Sequence, residues 1–249
     1  MKALEIDETL AEAHVSLGRV RLFWDWDWPG AEREFKRAIE LNPGYPFAHA
    51  VYGVGLGIAQ RHEEALREAR RARDLDPLMV VTNFTLGVVL YMQGRCEEAA
   101  DQFLRTLDLD PNYHQAHFGL SQVLHAMSRD EESVAEIRKA LALSDEDLLP
   151  KGLLGYVLGA MGRKDEAAAI LEELQDLSKR RYVPAACFAL AHAGIGDWDR
   201  SFEWLERSIQ AREGTVIYFV VLPGDLRFQS DPRFQDMIRR VGLWPASPR

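Results

Sequence analysis

Leu86-Gly87-Val88-Val89-Leu90-Tyr91-Met92-Gln93-Gly94-Arg95-Cys96-Glu97-Glu98-Ala99-Ala100-Asp101-Gln102-Phe103 decides the fold. Apolar residues recur at three- and four-residue intervals on both sides of Gly94, the pattern of two amphipathic helices joined by a tight turn. The same stretch is one copy of a repeat. Tyr52-Gly53, Leu86-Gly87, Leu120-Ser121, Leu154-Gly155 and Phe188-Ala189 follow one another at intervals of 34 residues, and Ala65, Ala99, Ser133, Ala167 and Ser201 keep the same step.

These landmarks divide the chain into six units, 11–45, 46–79, 80–113, 114–147, 148–181 and 182–214, the first with one extra residue in its internal turn. Each reads as helix, turn, helix, turn. Gly94, Gly162 and Gly196 stand at the midway turn, where a left-handed residue closes the first helix. Asp76-Pro77 and Asp110-Pro111 close the unit, because proline cannot extend the preceding helix.

At the eighth, twentieth and twenty-seventh places the units carry Gly18, Ala31, Ala38; Gly53, Ala65, Ala72; Gly87, Ala99, Thr106; Ser121, Ser133, Ala140; Gly155, Ala167, Leu174; and Ala189, Ser201, Ser208. Small residues there let two helix backbones approach, while Leu86, Leu90, Phe103 and their equivalents fill the space between. With proline at place 32, this pattern resembles the tetratricopeptide repeat over residues 11 to 214. The resemblance implies an all-α fold, a right-handed superhelix (α-solenoid) of stacked antiparallel helix pairs.

The ends depart from the period. Residues 1–10 contain Ala-Leu-Glu-Ile-Asp-Glu at 3–8, which matches the close of a unit, so a second helix of a truncated preceding repeat is expected there, belonging to a longer protein or to a downstream start. Residues 215–249 are expected to form a C-terminal cap and tail over the last apolar face. Asp231-Pro232 is a helix-start signature and Gly242 a stop. Residues 216–221 have strand propensity but sit in register with a seventh first helix, and the register favours helix. This tail, with Phe23-Trp24-Asp25-Trp26-Asp27-Trp28 and the segments 178–182 and 196–207, is similar to bacterial tetratricopeptide regions C-terminal to winged-helix regulators, nucleotide cyclases or serine/threonine kinases. That similarity implies a regulatory or assembly module.

Thirty basic against 39 acidic residues give a net charge of -9, which argues against nucleic acid and anionic membrane as partners. Acidic residues interrupt the N-terminus where a signal peptide needs an apolar run, and Cys96 and Cys187 are far apart, so a reduced, cytoplasmic setting without disulfides is expected.

In the family, ligands lie along the concave face built from places 2, 5, 9 and 12 of the first helices. In the central units those places carry Phe47, Val54, Val81, Phe84, Val88, Tyr91, Gln115, Phe118, Gln122, His125, Leu149 and Tyr156. The resemblance therefore implies an apolar groove for a protein or peptide segment, unless tighter coiling or the chain's own tail covers it. Members that clamp a C-terminal carboxylate use lysine and asparagine where this chain has Ala50, Val54, Phe84 and Val88, so that clamp is not expected.

Other constellations have structural readings. Trp24, Trp26 and Trp28 are a partner anchor or a staple for the long turn. His114, His117 and His125 suggest a metal, but His14, His49 and His117 share place 4, a core position, and no ligand set is complete at a recognisable spacing. Gly53-Val54-Gly55-Leu56-Gly57 follows no strand and reads as helix packing, not a phosphate turn. Asp145-Glu146-Asp147 at a helix start and Lys179-Arg180-Arg181 at a helix end suit the helix dipole. No catalytic constellation and no cofactor site stands out, so the chain reads as a scaffold and not an enzyme, with a homo-oligomeric structural module as the alternative.

Overall fold

The computed structural model describes residues 7–221, 228 and 230–242, and the chain divides into two compact units, residues 1–109 with 238–249 and residues 110–237. In the first lie α1 (Ala11–Val20), a π-helical turn (Arg21–Asp25), α2 (Trp28–Leu41), α3 (Pro46–Ile58), α4 (His62–Leu75), α5 (Val80–Met92) and α6 (Cys96–Leu109). The second holds α7 (His114–Ala126), α8 (Asp130–Leu143), α9 (Leu149–Ala160), α10 (Lys164–Ser178), α11 (Ala185–Gly194), α12 (Trp198–Gln210) and α13 (Val216–Val221), and α14 (Pro232–Val241) follows. Consecutive helices pack as pairs, α1 on α2, α3 on α4 and α5 on α6 in the first unit, α7 on α8, α9 on α10 and α11 on α12 in the second. First helices also meet one another, α3 with α1 and α5, and α9 with α11.

The midway turn is closed by a left-handed residue at every step of the repeat: Trp26, Gln60, Gly94, Ser128, Gly162 and Gly196. The extra residue of the first unit is absorbed just before Trp26 by the π turn, in which one added residue widens the hydrogen-bonded ring without breaking the helix. Gln60 (φ +57°) and Ser128 (φ +58°) hold a conformation that costs a side-chain-bearing residue about 1 kcal/mol relative to glycine. Gln60→Gly and Ser128→Gly are each expected to raise stability by about that amount in thermal melts.

Units close through a shared device. The side chains of Asn42, Asp76 and Asp110 accept hydrogen bonds from the amides of Gly44, Leu78 and Asn112, at 3.2, 3.2 and 3.0 Å, fixing the turn around the intervening proline. Second helices begin in two ways. Asp27 and Asp197 cap α2 and α12 by accepting from the Gly30 and Arg200 amides. In the four units between, arginine stands at that place and forks onto a glutamate three residues on: Arg61 with Glu64, Arg95 with Glu98, Arg129 with Glu132 and Arg163 with Glu166. Arg61 also reaches Glu32 at 2.7 Å, where Tyr52 and Lys36 converge. Burial opposes ionisation of Glu32, but hydrogen bonds from Lys36, Arg61 and Tyr52 hold its carboxyl at about 2.

Packing follows the small residues. Gly18 and Gly87 are sockets for the buried rings of Phe35 and Phe103, where an added Cβ would stand 2.5 and 2.7 Å from ring carbons. Gly53 faces α4 directly, with the Ala65 carbonyl 3.1 Å from where its Cβ would be, so the glycine-rich run of α3 is a packing feature. The closest approach joins α9 to α11: a Cβ on Gly159 would lie 1.8 Å from the Gly194 carbonyl oxygen, and one on Gly152 2.8 Å from Cα of Cys187.

Residues 216–221 form helix, as the register favours. Asp231 caps α14 by accepting from the Arg233 amide at 2.8 Å, and Gly242 ends that helix at φ +71°. In the second unit the ring of Phe228 is buried among Trp198, Phe202, Phe219 and Phe234, and Arg233 pairs with Asp199 and stacks over Phe202. Residues 222–227, 229 and 243–249 of the expected cap and tail lie outside the described residues. So do residues 1–6 of the expected truncated helix; Asp7–Leu10 form a turn in which Asp7 accepts from the amide and hydroxyl of Thr9.

Candidate functional site

The face that the resemblance singles out is carried in the first unit by α3 and α5. Phe47 and Val54 on α3, and Val81, Phe84 and Val88 on α5, are each part-exposed. The Arg19 guanidinium stands 5.6 Å from the Phe47 ring centroid, and Tyr45 flanks the same ring at 6.3 Å. Phe84 rests against the buried ring of Phe103 at 5.7 Å, so its position is set from below by the core. The five side chains are themselves apolar, and the Arg19 guanidinium borders them at Phe47.

Tyr91 and Phe118 depart from the expectation that they line the groove: each is only 5% exposed. Places 5 and 12 lie one turn on either side of place 8, the core position, so a large ring there can lean inward and fill the pair interior. Burial, with the Cys96 thiol nearby, raises the Tyr91 hydroxyl above its ordinary range.

In the second unit the face is more polar. Gln122 and His125 on α7 and Tyr156 on α9 are part-exposed, Gln115 likewise, whereas Leu149 is buried. The His125 ring meets Tyr156 edge-on at 5.5 Å, and its Nδ1 lies 2.6 Å from the Asp130 carboxylate. Gly152 and Gly159 hold places 5 and 12 of α9, and their close contact with α11 takes those two places out of any groove.

The histidines at place 4 are packed, as their place suggests, yet each has a polar partner that sequence reading missed. His14, His49 and His117 lie 2.7, 2.6 and 2.5 Å from Glu34, Glu68 and Glu136, and their Nε2 atoms face the carbonyls of Glu8, Pro43 and Pro111. In the third unit Asn83 and Gln102 replace this pair, Asn83 donating to the Pro77 carbonyl and accepting from Gln102. The signal was present in the sequence, since Glu34, Glu68, Gln102 and Glu136 recur at 34 residues. His114 is 3.9 Å from Asp147, and among the described residues no group of three His, Cys, Asp or Glu is placed to hold a metal. Of the tryptophans, Trp28 packs toward α3 at Gly55 while Trp24 is exposed.

Another carboxylate missed in the sequence is structural. Glu213, beyond α12, accepts from the Ala185 and Ala186 amides at the start of α11 and from the hydroxyls of Tyr182, Ser208 and Thr215. Pro184 stands at the cap position and has no polar side chain, so the orphan amides of α11 are satisfied from 28 residues away.

Among the described residues no helix is long and apolar enough to cross a membrane. No curated protein sequence matches the chain. Solved structures similar to it include PilF of Pseudomonas aeruginosa, 19% identical with a TM-score of 0.58, the match covering 94% of this chain and 98% of that one. PilW, described as a widely conserved type IV pilus biogenesis factor, is 16% identical with a TM-score of 0.63 over 92% of this chain and 98% of its own. MamA (41-end) from Desulfovibrio magneticus RS-1 is 16% identical with a TM-score of 0.55, covering 70% and 97%. At these identities the likeness is one of fold. Tetratricopeptide repeat models match residues 55–114 and 84–147, and a further one matches 151–180. Helix pairs, small-residue sockets and left-handed turns recurring every 34 residues agree with those matches, and the chain is a tetratricopeptide-repeat protein.

Proposed function

We propose that this protein is a non-catalytic interaction scaffold that holds an apolar segment of a partner polypeptide against the first helices of its repeat. The observation that carries this reading is the uncharged, part-exposed set Phe47, Val54, Val81, Phe84 and Val88 on two adjoining helices. Contiguous apolar side chains left in water are unfavourable at about 25 cal/mol per Å², and a surface that retains them is most simply one that is covered in use. In the second unit, taken by itself, the same places carry the hydrogen-bonding side chains of Gln122, His125 and Tyr156. A cytoplasmic setting belongs to this proposal, with the free thiols of Cys96 and Cys187 as its support.

The test compares the native chain with a Phe84→Glu/Val88→Glu variant whose circular dichroism and melting are unchanged. Both side chains are part-exposed, so two carboxylates there are compatible with folding. A polypeptide captured from lysate by the native chain is expected to be lost by the variant, and binding of an apolar fluorescent dye to fall several-fold. Equal capture and equal dye binding would refute the groove.

A further inference from the structure

Place 11 of the first helix and the residue just before the second helix are neighbours in all six units. The amides of Asp27, Arg61, Arg95, Arg129, Arg163 and Asp197 donate to the carbonyls of Arg21, Leu56, Leu90, Leu124, Leu158 and His192 at 2.8–3.1 Å. The two positions vary together. Where arginine precedes the second helix, place 11 is a buried leucine; where aspartate does, place 11 is basic, Arg21 with Asp27 and His192 with Asp197. In the first unit the two groups converge on one spot, since a Cβ on Gly30 would lie 1.8 Å from the Asp27 carboxylate and 2.9 Å from the Arg21 guanidinium. In the sixth they stop short. His192 is 3% exposed, its Nδ1 is buried without a hydrogen-bond partner among the described residues, and Oδ2 of Asp197 stands 3.8 Å away. That carboxylate meanwhile caps α12 through the Arg200 amide at 3.2 Å and lies 3.5 Å from the Arg200 guanidinium.

We propose that His192 and Asp197 form a proton-operated latch on the last helix pair: a proton taken up at Nδ1 turns Asp197 from the Arg200 amide to the imidazolium and loosens the start of α12. A buried imidazolium without a partner is strongly unfavourable, and Asp197 is the acceptor within reach. Burial is the largest influence on the ring and holds it below its ordinary 6.5; of the charges facing it, Asp197 and Glu203 favour the cation and Arg200 opposes it, all from α12 or its cap. On another side of α11, α9 approaches through Gly152, Gly155 and Gly159, while its Lys151 is held by Glu173 and its Tyr156 lies against His125. The ionisable side chains of α10, which also packs on α11, are exposed. His192 is therefore neutral at neutral pH. A base depressed in the folded state leaves stability complete above the unfolded value of 6.5 and lowers it as pH falls from there through the folded value. This window opens above that of Glu213, whose unfolded value is 4.5.

Nuclear magnetic resonance and thermal melts between about pH 8 and about pH 5 test the latch. In the native chain the His192 ring signal is expected to titrate below 6.5, with the Arg200 amide signal shifting at the same midpoint. Asp197→Asn keeps a capping side chain but loses the charge, so the His192 midpoint should fall further. His192→Leu places here the residue that four other units carry; it should fold, and on the same acidification its melting temperature should drop by about 2–4 °C less than that of the native chain. A His192 signal that titrates at or above 6.5 overturns the proposal. So does an Arg200 amide that ignores the titration, a His192 midpoint indifferent to Asp197→Asn, or a His192→Leu chain that loses as much stability in acid as the native one.

Discussion

Gly159→Ala is expected to lower the melting temperature by roughly 4–8 °C, although alanine is the better helix former by about 1 kcal/mol. Gly159 lies in α9, where its hydrogen faces the backbone of α11. An alanine Cβ would fall 1.8 Å from the Gly194 carbonyl oxygen and 2.7 Å from its Cα. The obstacle is main chain and cannot rotate aside, so the two helices must separate along a contact that also involves Gly152, Gly155, Cys187 and Ala191. Overpacking of this kind costs about 3 kcal/mol, which exceeds the propensity gain. Gly194→Ala meets the Gly155 carbonyl at 2.2 Å and should behave alike. A melting temperature equal to or above that of the native chain would mean that α9 and α11 do not touch through their backbones.

Glu213→Ala is expected to cost about 2–4 kcal/mol, because it strips partners from the Ala185 and Ala186 amides and from three hydroxyls at once. The effect also has a sign in pH. Burial works against ionisation of Glu213, but the Ala185 amide, the Ser208 and Tyr182 hydroxyls and the Ala186 amide outweigh it and hold the carboxyl below its ordinary 4.5. A carboxylate depressed in the folded state contributes stability that is complete above the unfolded value of 4.5 and is lost as pH falls through the folded one. Melts at neutral pH and in the acid range should therefore show the native chain losing this contribution on acidification, while Glu213→Gln, already weakened at neutral pH, loses correspondingly less. Parallel acid losses in the two proteins would remove Glu213 from its capping role.

Much of this architecture was legible in the sequence because the repeat states it six times. Small residues at places 8, 20 and 27 gave the helix contacts, and Asp76-Pro77 and Asp110-Pro111 gave the unit boundaries. What stayed hidden depends on contacts that no single unit contains or on conformations that the residue type does not announce. Gln60 and Ser128 are left-handed without being glycine. The extra residue of the first unit became a π turn, which no local propensity distinguishes from a longer loop. Glu213 caps a helix that begins 28 residues earlier, and the lost places on α9 follow from the neighbour's backbone. The proposed groove is a set of places read from the resemblance, and place alone did not tell that Tyr91 and Phe118 lean into the core, since a helix position at the border of two faces is decided by the size of its side chain and the room beneath it.

The central claim is that partners are held on the first-helix face, and site-specific photo-crosslinking tests it most directly. A benzophenone side chain placed at Val54 or Val88, and as a control at Arg70 on the exposed side of α4, would be irradiated in the presence of captured partner. The account predicts a covalent adduct from positions 54 and 88 and none from 70. Adducts from 70 with none from 54 or 88 would contradict it and move the binding surface to the second helices.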